Sequence, residues 1–408
     1  MQQATTLTTG SLRSGWRSLL LRDVWRNVAL LLGVVQVQIL SWALHLTAGE
    51  GLRGFVVLGL SGIAMIVNAL LVPLIRNAGR GTGLRRMAAR LYMNVGIGTL
   101  LVGIAVGASW LLLYPLGGLL ALLLTPGAGD VFFRASSGVL VLAVAASFLW
   151  GATIGQWGYG RTSTKVAVPG LDPSLAGLRI VQLSDLHIGN GLEGQRLADA
   201  VAEVNALSPD LIAITGDIFD NDPRFVDAGA RVLAGLRARL GVYVVLGNHD
   251  AYTGLELVAG ALGEHAPHFE LLRGRIARVD TEAPLYIAGV DDPGRDWTAR
   301  DLRVGAVEVL AKQRASDGPT ILLVHRPEVF HQAARLGFPL MLAGHTHGGQ
   351  IALPLFGGQI NPALVVSAYT RGLYRLEDST LYVNRGIGMA GPRIRFGCSR
   401  EIATIELV

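Results

Sequence analysis

The chain has 408 residues, of which 51% are hydrophobic and only 16% are charged, and its mean hydropathy is +0.44. This composition excludes a disordered chain, a coiled coil and an ordinary water-soluble protein, and it indicates a protein that meets a membrane. Residues 1–165 contain 13 Lys or Arg and 3 Asp or Glu (net +10), whereas residues 166–408 contain 22 and 27 (net −5). The basic residues lie beside apolar runs, so we expect anionic lipid headgroups rather than nucleic acid as their partner.

Four apolar runs are long enough to form membrane-spanning helices, because a helix needs about 20 such residues to cross the hydrocarbon core. The runs lie near residues 28–48, 55–75, 93–114 and 136–156. Pro115 is expected to interrupt a longer uncharged run, so that residues 116–125 form a re-entrant or interfacial piece. We therefore predict a four-span transmembrane domain over residues 1–157.

The distribution of arginine predicts the orientation of these spans, since Lys and Arg near span ends are retained on the cytoplasmic side. Four arginines precede the first span and five lie in the second loop, which has no acid, whereas the other two loops each pair one arginine with one acid. The two basic groups are Arg13, Arg17, Arg22 and Arg26, and Arg76, Arg80, Arg85, Arg86 and Arg90. We predict a multi-pass protein of the cell membrane, with a basic cytoplasmic N-terminus and the second half of the chain also on the cytoplasmic face.

The second half of the chain has the sequence pattern of a layered α/β domain. Residues 158–177 are rich in Gly, Pro and small polar residues, which predicts a linker and a first edge strand. From residue 178 to 408, short apolar runs alternate with helical patterns, as is typical of strands that are buried on both faces. The runs are LRIVQL, LIAIT, VYVVL, LYIAGV, TILLV and LMLA. The single cysteine, Cys398, is expected to be a buried thiol.

Polar side chains follow five of these runs, at the strand ends where open α/β sheets form their clefts. They are Asp185 and His187, Asp217 and Asp220, Asn248 and His249, His325, and finally His345 and His347. The i, i+2 spacing of Asp185 and His187 points both side chains the same way if the extended backbone continues.

Carboxylate, amide and imidazole groups without thiolate suit Mn, Fe, Zn and similar divalent ions. Two aspartates, one asparagine and four histidines of this set, with one carboxylate shared, would fill two metal sites. Two cations about 3.5 to 4 Å apart can hold a bridging hydroxide and clamp a phosphate group. The pattern therefore predicts two divalent metal ions and hydrolytic phosphoryl chemistry, in which the metal-bridged hydroxide attacks the phosphorus atom.

At these residues the chain resembles the calcineurin-like metallophosphoesterases, whose pattern is D-x-H, G-D-x-x-D, G-N-H-D/E, a lone His and G-H-x-H. The resemblance covers about 240 residues and implies a two-sheet α/β/β/α sandwich. It implies that Asp185, His187 and His347 hold one metal, that Asn248, His325 and His345 hold the other, and that Asp217 bridges them. It also implies that His249 contacts the substrate phosphate and the leaving oxygen, and that Asp220 orients or charges His249.

Two features narrow the substrate that this resemblance implies. Asn221 and Asp222 follow the G-D-x-x-D motif where the Ser/Thr protein phosphatases have Arg-Gly, so phosphoprotein hydrolysis is disfavoured. The tail resembles the bacterial branch with membrane-associated phosphodiesterases and UDP-2,3-diacylglucosamine pyrophosphohydrolases. In this interpretation the tail closes the second sheet and places Arg371 or Arg385 near the cleft.

We therefore predict a membrane-embedded phosphoesterase that hydrolyses a phosphodiester or pyrophosphate bond, with a phospholipid or lipid A precursor as the first candidate substrate. The alternative hypothesis is a membrane transporter or channel with a regulatory phosphoesterase-like domain, and a third is a membrane-anchored scaffold with an inactive phosphatase fold. The complete set of ligands favours the enzyme. The sequence leaves the identity of the metals and the oligomeric state open.

Overall fold

The structure is a computed structural model that describes residues 24–76, 83–292, 294, 304–355 and 358–408. Arg13, Arg17, Arg22 and Arg80, which contribute to the predicted orientation, lie outside these residues. The chain divides into two units, one before Trp150 and one over Trp150–Val408.

The first unit is helical and apolar. Its α-helices are α1 (Val24–Ala48), α2 (Gly54–Arg76), α3 (Gly83–Ala108), α4 (Tyr114–Leu123) and α5 (Pro126–Thr153), the last of which ends within the second unit. Four helical stretches are long and apolar enough to cross a membrane, over residues 26–48, 54–73, 83–123 and 127–153. This confirms the prediction of N-terminal helices that are apolar enough to span a bilayer.

The third stretch is longer than the sequence predicted. A five-residue π-helical turn, Ser109–Leu113, joins α3 directly to α4, and the whole stretch has 41 residues. The interruption expected at Pro115 is therefore wrong, and the chain after it continues as helix rather than as a separate re-entrant piece. Proline removes one helical N–H and crowds the preceding turn, and a wider π turn directly before it accommodates that crowding.

The second unit contains two six-stranded sheets. The first has the order β1-β14-β2-β3-β4-β5 and the second the order β12-β13-β9-β8-β7-β6. The strands of the first sheet are β1 (Tyr159–Val166), β2 (Arg179–Leu183), β3 (Leu211–Thr215), β4 (Val242–Val245), β5 (Phe269–Leu271) and β14 (Arg400–Leu407). Those of the second are β6 (Arg275–Arg278), β7 (Tyr286–Val290), β8 (Thr320–Val324), β9 (Leu340–Ala343), β12 (Gly372–Leu376) and β13 (Ser379–Val383).

Six further helices and one hairpin complete the described part of this unit. The helices are α6 (Gln195–Ala206), α7 (Val226–Leu233), α8 (Asn248–Thr253), α9 (Leu255–His265), α10 (Val304–Gln313) and α11 (Phe330–Arg335). The hairpin consists of β10 (Leu353–Leu355) and β11 (Gly358–Ile360).

Three buried apolar layers hold the sheets and helices together. Ile180 of β2 and Leu323 of β8 belong to one cluster, which fills the space between the two sheets. The outer face of the first sheet packs against α6, α7 and α9, and the outer face of the second packs against α10 and α11. The predicted α/β/β/α sandwich is thus confirmed, and burial on both faces explains why the strands are apolar at nearly every position.

The end of the chain closes both sheets rather than only the second. Strands β12 and β13 extend the second sheet, as expected, but β14 lies inside the first sheet between β1 and β2. Among the described strands, β1 pairs only with β14 and forms the edge of the first sheet. Cys398 is buried, as predicted.

Candidate functional site

The sequence-predicted site residues come together at the carboxyl ends of parallel strands from both sheets. Asp185 and His187 follow β2, Asp217 and Asp220 follow β3, Asn248 and His249 follow β4, His325 follows β8, and His345 and His347 follow β9. Strands β2, β3 and β4 run parallel in the first sheet, and β8 and β9 run parallel in the second. Parallel strands deliver the residues after them to the same edge, so five distant segments meet in one place.

One group of three residues is fully buried and is called the His347 cluster, formed by Asp185, His187 and His347. One potential ligand atom from each lies within 4.8 Å of the others. The Nε2 atoms of His187 and His347 are 3.0 Å apart, and Nε2 of His347 is 3.3 Å from Oδ1 of Asp185. Two imidazoles and a carboxylate at these distances could hold one divalent cation.

A second group, the His345 cluster, is formed by Asp217, His325 and His345 and satisfies the same 4.8 Å criterion. Nδ1 of His345 lies 3.2 Å from Nε2 of His325. Oδ2 of Asp217 lies 3.2 Å from Nε2 of His325 and 3.5 Å from Nε2 of His187. One oxygen of Asp217 therefore faces an imidazole from each cluster, which is where a carboxylate shared by two cations would lie.

The amide of Asn248 gives a direct test of whether this site fits a metal ion. Asn248 is 1% exposed, and among the described residues neither its Oδ1 nor its Nδ2 atom makes a hydrogen bond of standard geometry, although the hydroxyl of Tyr252 interacts with the amide. A buried amide without a well-formed hydrogen bond costs about 1 to 3 kcal/mol of stability, so such a group calls for an explanation. A cation held by the amide oxygen beside the His345 cluster would supply it, and the donor set of oxygen and imidazole fits a divalent ion.

The backbone at five of the seven candidate ligands adopts the left-handed conformation. The φ angles are 52° at Asp185, 45° at His187, 52° at Asp217, 71° at His345 and 52° at His347. The expectation that extended geometry continues past β2 is therefore wrong, because each segment turns sharply as its strand ends. Left-handed conformations are costly for residues with a side chain, and they accumulate where a functional site requires a particular side-chain direction.

Two glycines of the sequence motifs are explained by close contact with ligand carboxylates. A Cβ atom added at Gly247 would overlap Oδ1 of Asp217, and one at Gly344 would overlap the hydroxyl of Ser184 and Oδ2 of Asp185. Any side chain at these two positions would displace a carboxylate of the site. The glycine before Asn248 and the glycine before His345 thus make room for the ligands.

His249 and Asp220 lie beside the two clusters, where His249 is partly exposed. Nδ1 of His249 is 3.0 Å from Oδ1 of Asp220, which also lies 3.1 Å from Nδ1 of His187. Burial lowers the pKa of His249, but the charge of Asp217 and the hydrogen bond to Asp220 outweigh burial and raise that pKa to about 9. The site therefore keeps a protonated imidazole at neutral pH.

One histidine of each cluster has a shifted pKa, and the two shifts have opposite directions. Burial, together with the charges of His187 and Arg395, holds the pKa of His347 well below its usual range. Burial also lowers the pKa of His325, but the charge of Asp217 and the hydrogen bond to it outweigh burial and raise that pKa to about 10. His347 is thus neutral and ready to bind a metal, whereas His325 must first lose a proton.

Arg395, which the sequence did not indicate as part of the site, is 1% exposed. Its guanidinium donates to the carbonyl oxygen of His347 (3.1 Å) and to those of Arg385, Gly386 and Gly388 (2.8 to 3.0 Å). Its Nη2 atom also lies 3.4 Å from Nδ1 of His347. Arg395 therefore fixes the loop that carries His347, and the only sequence signal for it was the arginine-rich tail.

The structure also assigns a position to Asp250, the residue that follows His249 in the sequence. Its carboxylate accepts hydrogen bonds from the backbone N–H groups of Gly247, Ile218 and Phe219. Asp250 thereby ties the Asp217 loop to the Asn248 loop. Of the two arginines predicted near the cleft, Arg385 is engaged in an ion pair with Glu401.

The sequence profile of the calcineurin-like phosphoesterase family matches residues 178–349, which contain every residue of both clusters. A metallophosphoesterase from Bacillus subtilis is 33% identical to this chain over 242 residues, covering 57% of the chain and 79% of that protein. This chain belongs to the calcineurin-like phosphoesterases.

Two further relatives of this calcineurin-like phosphoesterase differ in how much of their length is matched. A "transmembrane protein with metallophosphoesterase domain" from Danio rerio is 35% identical over 260 residues, covering 60% of this chain and 56% of that protein. A metallophosphoesterase from Campylobacter jejuni is 33% identical over 248 residues, covering 60% of this chain and 62% of its own length. The chain thus spans little more than half the length of the first of these relatives.

Proposed function

We propose that the two clusters form a two-metal centre that hydrolyses a phosphodiester or pyrophosphate bond. The observation that carries this proposal is the position of Asp217, whose Oδ2 atom faces His187 on one side and His325 on the other. A single buried carboxylate between two sets of imidazoles is the arrangement that a shared ligand requires. Membership of the calcineurin-like phosphoesterases supports the same chemistry.

Asp185, His187 and His347 would hold one cation, and Asn248, His325 and His345 would hold the other, with Asp217 as the shared ligand. When bound, two divalent cations supply Lewis-acid activation of water and neutralise charge on the phosphate oxygens. Mn, Fe and Zn are all compatible with this set of ligands.

His249 is our candidate for the proton donor to the leaving oxygen. It is partly exposed, and the carboxylate of Asp220, which lies 3.0 Å from its Nδ1 atom and is not one of the proposed metal ligands, raises its pKa and favours the protonated form. A positioned imidazolium can donate a proton to the departing group and then regain it from water. Asp220 serves as the positioning residue, because its carboxylate lies at Nδ1 and leaves Nε2 for the substrate.

We also propose that the substrate is linked to a lipid. This is supported by the four helical stretches that could span a bilayer and by the absence of the arginine that follows the G-D-x-x-D motif in protein phosphatases. We also propose that the enzyme domain over residues 178–408 faces the cytoplasm, linked by residues 158–177 to a membrane domain over residues 1–157. The arginine-rich second loop and N-terminus support this orientation.

The test is hydrolysis of bis-p-nitrophenyl phosphate by the purified full chain loaded with Mn²⁺. We expect Asp217→Ala to lower kcat/KM by about a thousandfold, because the cations contribute several kcal/mol and each 1.4 kcal/mol is a factor of ten. Asp227→Ala is the matched control, since that exposed carboxylate lies on α7 and pairs with Arg231. Full activity of Asp217→Ala, or inactivity of the metal-loaded wild type toward every phosphoester tried, would refute the proposal.

A further inference from the structure

Exposed aliphatic side chains are concentrated in the segment that follows His347. Leu353, Ile360, Leu364 and Val365 are between 45% and 56% exposed, and we call these four residues the apolar hairpin surface. The first two belong to the β10–β11 hairpin, and the other two belong to the short 3-10 turn Pro362–Val365. Leu353 and Ile360 lie directly opposite each other in the hairpin, and exposed apolar side chains concentrated in one segment in this way mark an interaction site more often than side chains that face water.

Arg395 and Phe396 link this segment to the last turn of α5 through backbone hydrogen bonds. The last turn of α5 and the segment belong to the same unit of the chain. The N–H of Ala352 donates to the carbonyl of Phe396 (2.8 Å), and the N–H of Arg395 donates to the carbonyl of Gly151 (3.1 Å). The rings of Phe396 and Trp150 meet edge to face, with centroids 6.1 Å apart. The hairpin is therefore attached to the end of a helix that is long and apolar enough to span a bilayer.

The end of such a helix lies at the level of the lipid headgroups, where tryptophan side chains are enriched. Trp150 and Trp157 are 47% and 57% exposed at this point of the chain. The sequence over residues 351–376 contains no Asp or Glu, although it contains two arginines. An acid-free segment with exposed aliphatic side chains suits contact with an anionic bilayer surface and its acyl boundary.

We propose that the apolar hairpin surface lies in the headgroup and acyl boundary of the bilayer, and that it presents membrane-held phosphoesters to the site. The part that concerns substrate rests on the proposed function. The first residue of the apolar hairpin surface, Leu353, comes four residues after the end of the turn His347–Gly349. Arg395 contacts both the site and the end of α5. Its guanidinium donates a hydrogen bond to the carbonyl of His347, and its backbone N–H donates one to the carbonyl of Gly151.

The depth of the hairpin can be measured without any reference to activity. Cys398 is the single cysteine and is buried, so a nitroxide attached to Leu364→Cys reports on that position alone. In nanodiscs of phosphatidylcholine and phosphatidylglycerol holding one copy of the full chain, we expect the label to collide more with oxygen than with a water-soluble nickel chelate. A label at Leu257→Cys, a leucine of α9 that is 48% exposed, should show the reverse preference.

Equal access of the nickel chelate to both labels would refute the membrane contact. So would protection of the label at position 364 only in nanodiscs that hold two copies, because a second chain would then cover the surface.

A second experiment tests the link to substrate with two probes that release the same p-nitrophenolate. One is soluble bis-p-nitrophenyl phosphate, and the other is phosphatidyl-p-nitrophenol in phosphatidylcholine vesicles. Replacing all four leucine, isoleucine and valine residues of the surface by serine should lower kcat/KM on the lipid probe by at least about tenfold, since each aliphatic side chain loses burial in lipid. Hydrolysis of the soluble probe should stay unchanged, as should both activities of a control variant, Leu257→Ser/Val309→Ser.

An equal loss on both probes, or no loss on either, would refute the presentation of membrane-held substrate. If the wild type hydrolyses neither probe, the proposed function fails, while the nitroxide measurement still decides whether the hairpin contacts the bilayer.

Discussion

The His347 cluster and the His345 cluster contain similar ligands but differ in how they are enclosed. All three residues of the His347 cluster are buried, and Arg395 holds the backbone of His347 in place. In the His345 cluster, His345 is partly exposed, and the nearby Asn248 amide makes no hydrogen bond of standard geometry among the described residues. The ligands of the first cluster are thus held in place by the chain itself, whereas the second cluster is more accessible.

We therefore expect the two proposed metal sites to differ in how tightly they hold a metal and in how open they are to substrate. Enclosed sites with fixed ligands hold metals tightly, whereas sites that take part in catalysis keep a position open to substrate or water. His249 is also partly exposed, so our candidate proton donor and His345 are both accessible to solvent. We expect substrate to approach at the His345 cluster.

The largest expected effect comes from removing one ligand from each cluster separately. Asp185→Ala should leave one metal per chain, held weakly in the His345 cluster, and Asn248→Ala should leave one metal per chain, held tightly in the His347 cluster. Each variant should lower kcat/KM by about a thousandfold. Inductively coupled plasma mass spectrometry of the purified variants gives the metal content. On addition of a chelator, the wild type should lose one metal early, and Asn248→Ala should lack this early phase. If Asp185→Ala lacks it instead, the comparison of the clusters is reversed.

A smaller effect is expected for His249→Gln, because the metal ligands remain. Loss of a general acid lowers kcat by about a hundredfold or more for substrates with a poor leaving group. The loss should be much smaller for p-nitrophenyl esters, whose leaving group needs little protonation. Steady-state kinetics with alkyl and p-nitrophenyl phosphodiesters, together with two metals per chain, would check this assignment. The same loss for both classes of ester would contradict it.

Arg395→Met tests whether the His347 cluster owes its order to the guanidinium. Residues that hold a metal ligand in place typically contribute a factor of ten to a hundred in metal affinity. We expect about a tenfold weaker affinity for the tightly bound metal and an unchanged affinity for the other one. Arg400→Met is the control, because Arg400 is also buried but lies over the ring of Tyr159. An equal weakening of both metals would indicate a general loss of structure and not a positioning role.

The smallest effect concerns protons released on metal binding. A metal must displace the proton of His325, whose pKa is raised to about 10, but finds His347 already neutral. Affinity for the more weakly bound metal should therefore rise with pH up to about 10, whereas affinity for the tightly bound one should depend less on pH near neutrality. Calorimetric titrations in buffers of different ionisation enthalpy count the protons. A tightly bound metal that releases more protons would contradict this order.

The positions of the ligands could be predicted because each follows directly on a buried strand. Asp185, Asp217 and His345 needed no knowledge of distant contacts, since the apolar runs before them mark the strand ends. The left-handed turns could not be predicted in the same way, because strain at a side chain is tolerated only when the surrounding structure compensates for it. Arg395 was missed for a related reason, since it lies 48 residues after His347 and contacts it only in the folded chain.

The membrane helices show the same contrast between local and distant information. Hydropathy alone predicted the four spans, because the length of a helix and its apolar composition are local properties. The continuation of the third stretch past Pro115 depends on the π turn before it, which no residue pattern indicated. The insertion of β14 into the first sheet likewise depends on which edge remains open after the other strands have paired.

The place of β14 between β1 and β2 has a consequence for biosynthesis. Strand β1 is made directly after the last apolar helix, yet β14, its partner among the described residues, follows every other strand of both sheets along the chain. Until residues 400–407 have been synthesised, β1 therefore lacks the strand with which it pairs. The order of strands along the chain thus makes the pairing of β1 and β14 a late step in the folding of the first sheet.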